Sequence, residues 1–184
     1  MSGTYPGMTV EVLKLQKGAS RILFDGIFAA GGITLSQVSV MTGLEPYMIQ
    51  NWVKRGFVSS PKKRVYSRQQ FARIIIINML RETVQIDRIC SLIETIADVI
   101  DDTSDHLKGD DDLYHFYVDM IADGSININD ERTVSDAALR VTEEVIEKEV
   151  NAKQQLVKIL KIMLYAHTAA RLKSSANEIF STLD

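Results

Sequence analysis

The chain has 184 residues, of which 46% are hydrophobic and 24% charged, enough for one domain or two small ones with a real core. Its longest apolar run, Ile74 to Ile77 inside Phe71 to Leu80, is too short to span a bilayer, and Met1 to Val10 lacks the charged and apolar regions of a secretory signal, so a cytoplasmic protein with no membrane partner is expected. The single cysteine, Cys90, excludes an intramolecular disulfide and paired thiols for a metal.

The net charge of −3 conceals a division along the chain. Residues 1–33 carry +1 and residues 82–184 carry −11, whereas residues 34–81 carry eight cations against Glu45 alone, a surplus of +7. A short electropositive stretch joined to an acidic body is the footprint of a polyanion-binding module. Chance fluctuation of surface charge is the competing explanation.

In chain order, Met1 to Met8 reads as a loose leader, followed by two short amphipathic pieces, Val10–Lys17 and Ala19–Ala30, separated by Gly18. Ile22, Leu23, Ile27 and Phe28 form the face of the second piece that is expected to pack as a helix against the next domain. Gly31-Gly32 has no phosphate-loop spacing around it and reads as a linker.

Thr34-Leu35-Ser36-Gln37 is a capping box, in which hydroxyl and amide each satisfy an orphan backbone N–H, and Leu35, Val38 and Met41 supply the buried face of the helix it opens. Thr42-Gly43-Leu44 makes a turn, and Pro46 stands at the start of a helix running to about Arg55. Ile49, Trp52 and Val53 share one face of that helix, which leaves Tyr47, Met48, Gln50, Asn51 and Lys54 outside, a set able to read base edges. Phe57-Val58 and Val65-Tyr66 read as two short strands around the basic tip Ser59 to Arg64, a wing, and Ser67 as the N-cap of a helix to about Leu80.

These residues resemble the MerR-like winged helix domains of bacterial regulators over about Ile33 to Ile100. The resemblance rests on the Thr-x-x-Gln start, Thr42-Gly43-Leu44 before Pro46, Ile49, the Lys54-Arg55-Gly56-Phe57 exit, Arg64-x-Tyr66-Ser67, Phe71-x-x-Ile74 and the Gln85-to-Ile100 helix. Gln50, Asn51, Trp52 and Val53 stand where activators of that group carry an Arg-Tyr-Tyr-Glu-like run, and Glu45 stands in place of their Ser or Thr cap, so their promoter-twisting mechanism is not carried over. In length and layout the whole chain also resembles a family of uncharacterised bacterial proteins with such a domain in front of a helical tail.

In the helix after the wing, Phe71, Ile74, Ile75 and Met79 share a face while Ile76 and Ile77 fall outside it, so covering is expected from two sides: the winged helix, and the C-terminal region or a second subunit. Ile86, Ile89, Cys90, Ile93, Ile96, Ala97 and Ile100 give the cleanest helical stripe, on which Cys90 reads as a small buried hydrophobe. Residues 101–112, with six aspartates, read as an acidic linker. Asp119 to Asp130 has EF-hand-like spacing, but Ile121 occupies a ligand position, and a helix ended near Gly124 with Asp130 capping the next is the simpler reading. Val134 to Asp184 has no Gly or Pro and allows one helix or two, with a break near Asn151 preferred. Leu156 to Leu172 is apolar on more than one face, as a tail core or a dimer interface would be. His106, His115 and His167 form no metal-binding motif.

The expected architecture is therefore mainly α. A leader and N-terminal helix (1–32) precede a MerR-like winged helix-turn-helix with a small two-stranded wing (33–100), the acidic linker (101–112) and a helical dimerisation or effector domain (113–184). The expected function is a DNA-binding transcription regulator, not an enzyme, acting as a homodimer on double-stranded DNA without metal or cofactor, with a small-molecule or protein effector left open. Tyr47, Met48, Gln50, Asn51 and Lys54 would contact bases, and Lys62, Lys63, Arg64, Tyr66 and Arg68 would contact phosphates. The alternative is a protein-interaction module that uses the same surface for docking.

Overall fold

A computed structural model describes residues 3–99, 109–143, 145 and 151–183. Among these the chain is mainly helical, with two small antiparallel sheets. The linker stretch 101–108, including His106, and the end of the Ile86 stripe at Ile100 lie outside the described residues, as do 146–150 just before the expected helix break.

The N-terminus is more ordered than its composition suggests. Strands β1 (Gly3–Thr4) and β2 (Glu11–Val12) pair with each other, so the short amphipathic piece Val10–Lys17 begins as a strand. Nor is the leader loose. Tyr5 and Met8 are buried, and the Tyr114 hydroxyl donates to the Pro6 carbonyl at 3.0 Å, tying the leader to the far half of the chain. Helix α1 (Ala19–Phe28) buries Phe24 completely, with Leu23, Ile27 and Phe28 partly buried beside it, while Ile22 is 75% exposed. The inward face passes through Ser20, whose hydroxyl meets His115 Nδ1 at 2.9 Å, so a polar residue marks the core side and hides it from a hydrophobic count.

Strand β3 (Ile33–Thr34) leads into helix α2 (Leu35–Thr42), whose Thr34–Gln37 capping box forms as expected. Val38 is fully buried, with Leu35 and Met41 partly so. Gly43 takes φ 69°, a left-handed conformation that costs a side-chain-bearing residue about 1 kcal/mol or more, and helix α3 (Pro46–Lys54) follows with Pro46 at its first position. Thr9 closes the other end of α2, donating from N to Met41 O at 2.8 Å and from its hydroxyl to Val40 O at 2.7 Å, which satisfies carbonyls the helix end leaves open.

The strand pairing differs from the expected wing. Phe57 and Val58 are buried bends whose amides bond back to Trp52 O, so they close α3 and have no free edge to offer. Strand β4 (Val65–Tyr66) pairs instead with β3, Ile33 opposite Tyr66. Gly32 permits that approach, because a Cβ there would lie 2.8 Å from Tyr66 O. The Gly31-Gly32 pair is thus part of a packed edge as well as a connection.

Helix α4 (Arg68–Leu80) is the axis of the molecule. Ser67 and Gln70 form a second capping box, and all four isoleucines from Ile74 to Ile77 are fully buried. Helices α5 (Ile86–Val99), α6 (Asp110–Ala122) and α8 (Ala152–Phe180) pack on it together with α2, so the C-terminal region supplies the second cover that the wide apolar face demands. On α5, Ile89, Cys90, Ile93 and Ile96 are buried. Cys90 sits with Sγ 3.9 Å from Phe57 O, and burial pushes its thiol up from the ordinary range, consistent with a packing role.

Asp110, Asp111 and Asp112, expected in the linker, form the first turn of α6, where their charge favours the positive helix end. Gly109 stands at the N-cap position with no side-chain cap. Helix α7 (Glu131–Val141) opens at Asp130, whose carboxylate accepts from Arg132 N at 3.0 Å, while Asp119 at the other end of the EF-hand-like stretch is turned to Gly18 N and Arg21. Asn151, at φ 86°, precedes α8, which agrees with the expected break. One core cluster runs from Tyr5 through α4 to Ala166, so the front and tail segments share their interior.

Candidate nucleic-acid interface

The eight cations of residues 34–81 divide into two groups once folded. Arg68, Arg73 and Arg81 are partly buried and engaged by other groups of the chain. The Arg68 guanidinium meets Asp25 at 2.7 Å and Asp111 at 3.0 Å and lies 5.5 Å from the Phe24 ring centroid, joining α4 to α1 and α6. Arg73 donates to Phe57 O at 2.7 Å and pairs with Glu94 at 2.9 Å and Asp110 at 3.4 Å. Arg81 donates to Asn78 Oδ1 at 3.2 Å beside Glu82. Burial pushes the carboxyls of Asp110 and Asp111 above their ordinary range, against the pull of Arg73 and Arg68, as desolvation of a charged form requires.

Lys54, Arg55, Lys62, Lys63 and Arg64 make up the second group: all are exposed, and none has a carboxylate partner among the described residues. Three of them occupy the tip of one hairpin. Val65 N donates to Lys62 O at 3.0 Å, Lys62 bridges Val65, and the two residues between, Lys63 and Arg64, have φ of 50° and 65°. Positive φ at both central positions is the signature of a type I′ turn, which Gly and Asn favour and Lys and Arg do not. The strain costs roughly 1–2 kcal/mol per residue. It holds consecutive cations on a narrow turn, where side chains cannot fold back on a helix or sheet.

Both ends of the tip loop are fixed to the start of α4. Gln70 Nε2 donates to Ser59 O at 2.7 Å and to Ser59 Oγ at 3.0 Å while its Oε1 accepts from Ser67 N at 2.8 Å. Tyr66, expected on a phosphate, is 3% exposed and belongs to the core, and burial pushes its hydroxyl above the ordinary phenol range. Tyr66 and Arg68 therefore anchor the loop from inside, while Lys62, Lys63 and Arg64 stand outside it.

On α3, Ile49 and Trp52 are buried and Val53 is half-buried. Tyr47 is 67% exposed, Gln50, Asn51 and Lys54 are exposed, and Met48 is half-buried against the core. An open cleft of about 600 Å³ lies beside this face, between Met48, Asn51 and Arg55 of the α3 region and Arg81, Gln85 and Asp87 at the entrance to α5. Arg55, absent from the expected contact set, lies with its guanidinium 4.4 Å from the Phe57 ring centroid, stacked yet accessible. Its membership in the basic stretch was the available signal.

Residues 32–117 match DUF1836, a domain of unknown function. The DUF1836 match begins at Gly32, the residue that lets β3 approach β4, and extends to Tyr117 within α6, so it takes in both members of the Arg68–Asp111 and Arg73–Asp110 pairs. No curated protein and no solved structure matches the chain.

Proposed function

We propose that the chain is a double-stranded DNA-binding transcription regulator with a MerR-like winged helix-turn-helix at α2–α3 and the 59–66 loop as its wing, acting as a homodimer. The observation that carries this reading is the strained turn presenting Lys62, Lys63 and Arg64 without acidic partners among the described residues. Lys62, Lys63 and Arg64 grip phosphates, and Arg55 joins them from the end of α3. Gln50 and Asn51 pair with adenine edges in the major groove, flanked by Tyr47 and Lys54, while half-buried Met48 offers its exposed side to a thymine methyl. Tyr66 and Arg68 position the wing.

A docking role for the same surface is favoured by one feature, the exposed Tyr47 ring near a cleft walled by Met48 and Trp52. The two readings separate in a selection of bound duplexes from a random pool. Gln50→Ala or Asn51→Ala should change the preferred site, and Arg64→Ala should weaken all sites alike. Recovery of no preferred sequence with wild type would refute base reading by α3.

A further inference from the structure

Helix α8 does two jobs along its length. Leu156, Ile159, Leu160, Met163 and Leu164 are buried in the core, yet every residue from Arg171 to Leu183 is exposed. The exposed part of the helix continues for about 15 Å beyond the packed part. A free helix end of this kind is normally polar, since a helix without a packed face is marginal in water. Here Leu172 and Ile179 are each 67% exposed, and Phe180 and Leu183 each 74%.

These side chains extend an ordered stripe. Ile162, Tyr165, Ala169, Leu172, Ala176 and Ile179 follow one another at intervals of three and four, all are exposed, and Leu183 continues the series just past the helix end. That is the a/d spacing of a coiled-coil seam over nearly three heptads, on an exposed face of α8 whose first turn borders α7, where the Tyr165 hydroxyl donates to Glu131 at 3.0 Å. It differs from the stripe through Ile159, Ile162 and Ala166, which enters the core at both of its ends.

We infer that this face pairs with the same face of a second copy of the chain, in antiparallel orientation. In its middle small and large residues alternate: Ala169 and Ala176 share one kind of position with the larger Ile162 and Leu183 at the ends, and Tyr165, Leu172 and Ile179 occupy the other. In an antiparallel pair the two kinds face each other, so Ala176 meets Leu172 of the partner subunit and Ala169 meets Ile179 of the partner subunit, filling the central layers evenly, with Tyr165 against Leu183 of the partner subunit at each end. A parallel pair would alternate Ala–Ala layers, which leave voids, with crowded large–large layers. Charge agrees: residues 162–183 carry Arg171 and Lys173 against Glu178, so this is a stretch of the acidic half in which two copies do not repel each other. The stripe contributed twice, by two-fold symmetry, reaches the order of 1,000 Å² that a stable interface needs. The pairing gives the homodimer of the proposed regulator its contact surface, and it is tested without DNA, so its failure leaves the phosphate-gripping wing untouched.

Sedimentation velocity of the full chain at micromolar concentration, repeated with Leu172→Glu and Ile179→Glu together, tests it. Wild type should sediment at twice the mass of the chain and the variant at once, while the variant still unfolds in one cooperative transition, because both side chains are exposed within a single chain and only the stabilisation by association is lost. Orientation is read by cysteine trapping: Ala169→Cys should cross-link to an Ile179→Cys chain in a mixture, and Ala169→Cys alone, about 15 Å along the seam from its own copy, should not cross-link to itself. A monomeric wild type, which would assign the stripe to a different protein, overturns the proposal. So does a dimer that survives both glutamates, or an Ala169→Cys self-link.

Discussion

Arg73 and Arg64 are nine positions apart in one basic stretch, and the fold gives them opposite surroundings. The Arg73 side chain is 17% exposed and enclosed by Phe57 O, Glu94 and Asp110, whereas Arg64 stands on a strained turn with no acid beside it among the described residues. The contrast teaches that a charge surplus counted along a sequence has two components. One is neutralised by the acidic tail and fastens that tail to the front of the molecule. The other stays available to a partner. Asp110 and Asp111, which in sequence belong to a separate acidic segment, are the counter-charges of the first component.

Among single substitutions, breaking the buried side of this comparison should have the largest effect on the fold. Arg73→Ala removes three contacts at once and leaves Asp110 poorly compensated, so urea unfolding should show a loss of about 2–3 kcal/mol. Any binding to polyanions by the protein that remains folded should keep its salt dependence. An unchanged unfolding midpoint would show that Arg73 is not a structural cation.

Acid should loosen the same interior while leaving the tip cations charged. Burial, reinforced by Arg21 and Arg68 and opposed by Asp25, lowers His115 to about 3, and burial with Arg171 nearby lowers His167 to about 4. Each is held neutral in the folded state, so between its folded value and the ordinary value near 6.5 the unfolded chain binds the extra proton and stability falls as pH falls. From pH 7 to pH 5 the loss should be about 2 kcal/mol per histidine at most, read from urea midpoints across a pH series. Substituting Gln for His115 and His167 should flatten that slope; an equal slope in the double variant would place the acid sensitivity elsewhere.

On the exposed side the effect on stability is smallest and of opposite sign. Lys63→Gly accepts φ 50° without strain, so it should raise stability by up to about 1 kcal/mol, offset in part by the greater freedom of glycine in the unfolded chain. It should also weaken polyanion binding through the lost charge. Destabilisation on that substitution would mean that the turn is not held against its preference.

Where a few neighbouring residues decided the structure, the sequence was readable: both helix caps at Thr34 and Ser67, the Gly43 turn, Pro46 at the start of α3 and the stop at Asn151 follow from local chemistry. Where distant residues decided it, it was not. Phe57 and Val58 have strand composition, yet their amides are used by Trp52, and β4 finds its partner some thirty residues upstream at β3. Nothing near Arg68 or Tyr66 in sequence announces Asp25, Asp111 or the core that takes their side chains inward. The same holds for Phe24, whose inward direction is set by packing against Phe71 and Tyr114. Of the site, Lys62, Lys63 and Arg64 were legible as a basic run, but their left-handed backbone was not, because it depends on closure of the turn between Lys62 and Val65.

Fluorescence anisotropy of the full chain with a random-sequence duplex across a salt series, set beside the variant with Lys62, Lys63 and Arg64 all changed to Ala, tests the division of the basic stretch most directly. With three phosphate contacts removed, the slope of log affinity against log salt should flatten by about 2.7, while the unfolding midpoint stays within about 0.5 kcal/mol of wild type. Equal slopes for the two proteins, or a wild type that fails to bind at low salt, would contradict the account.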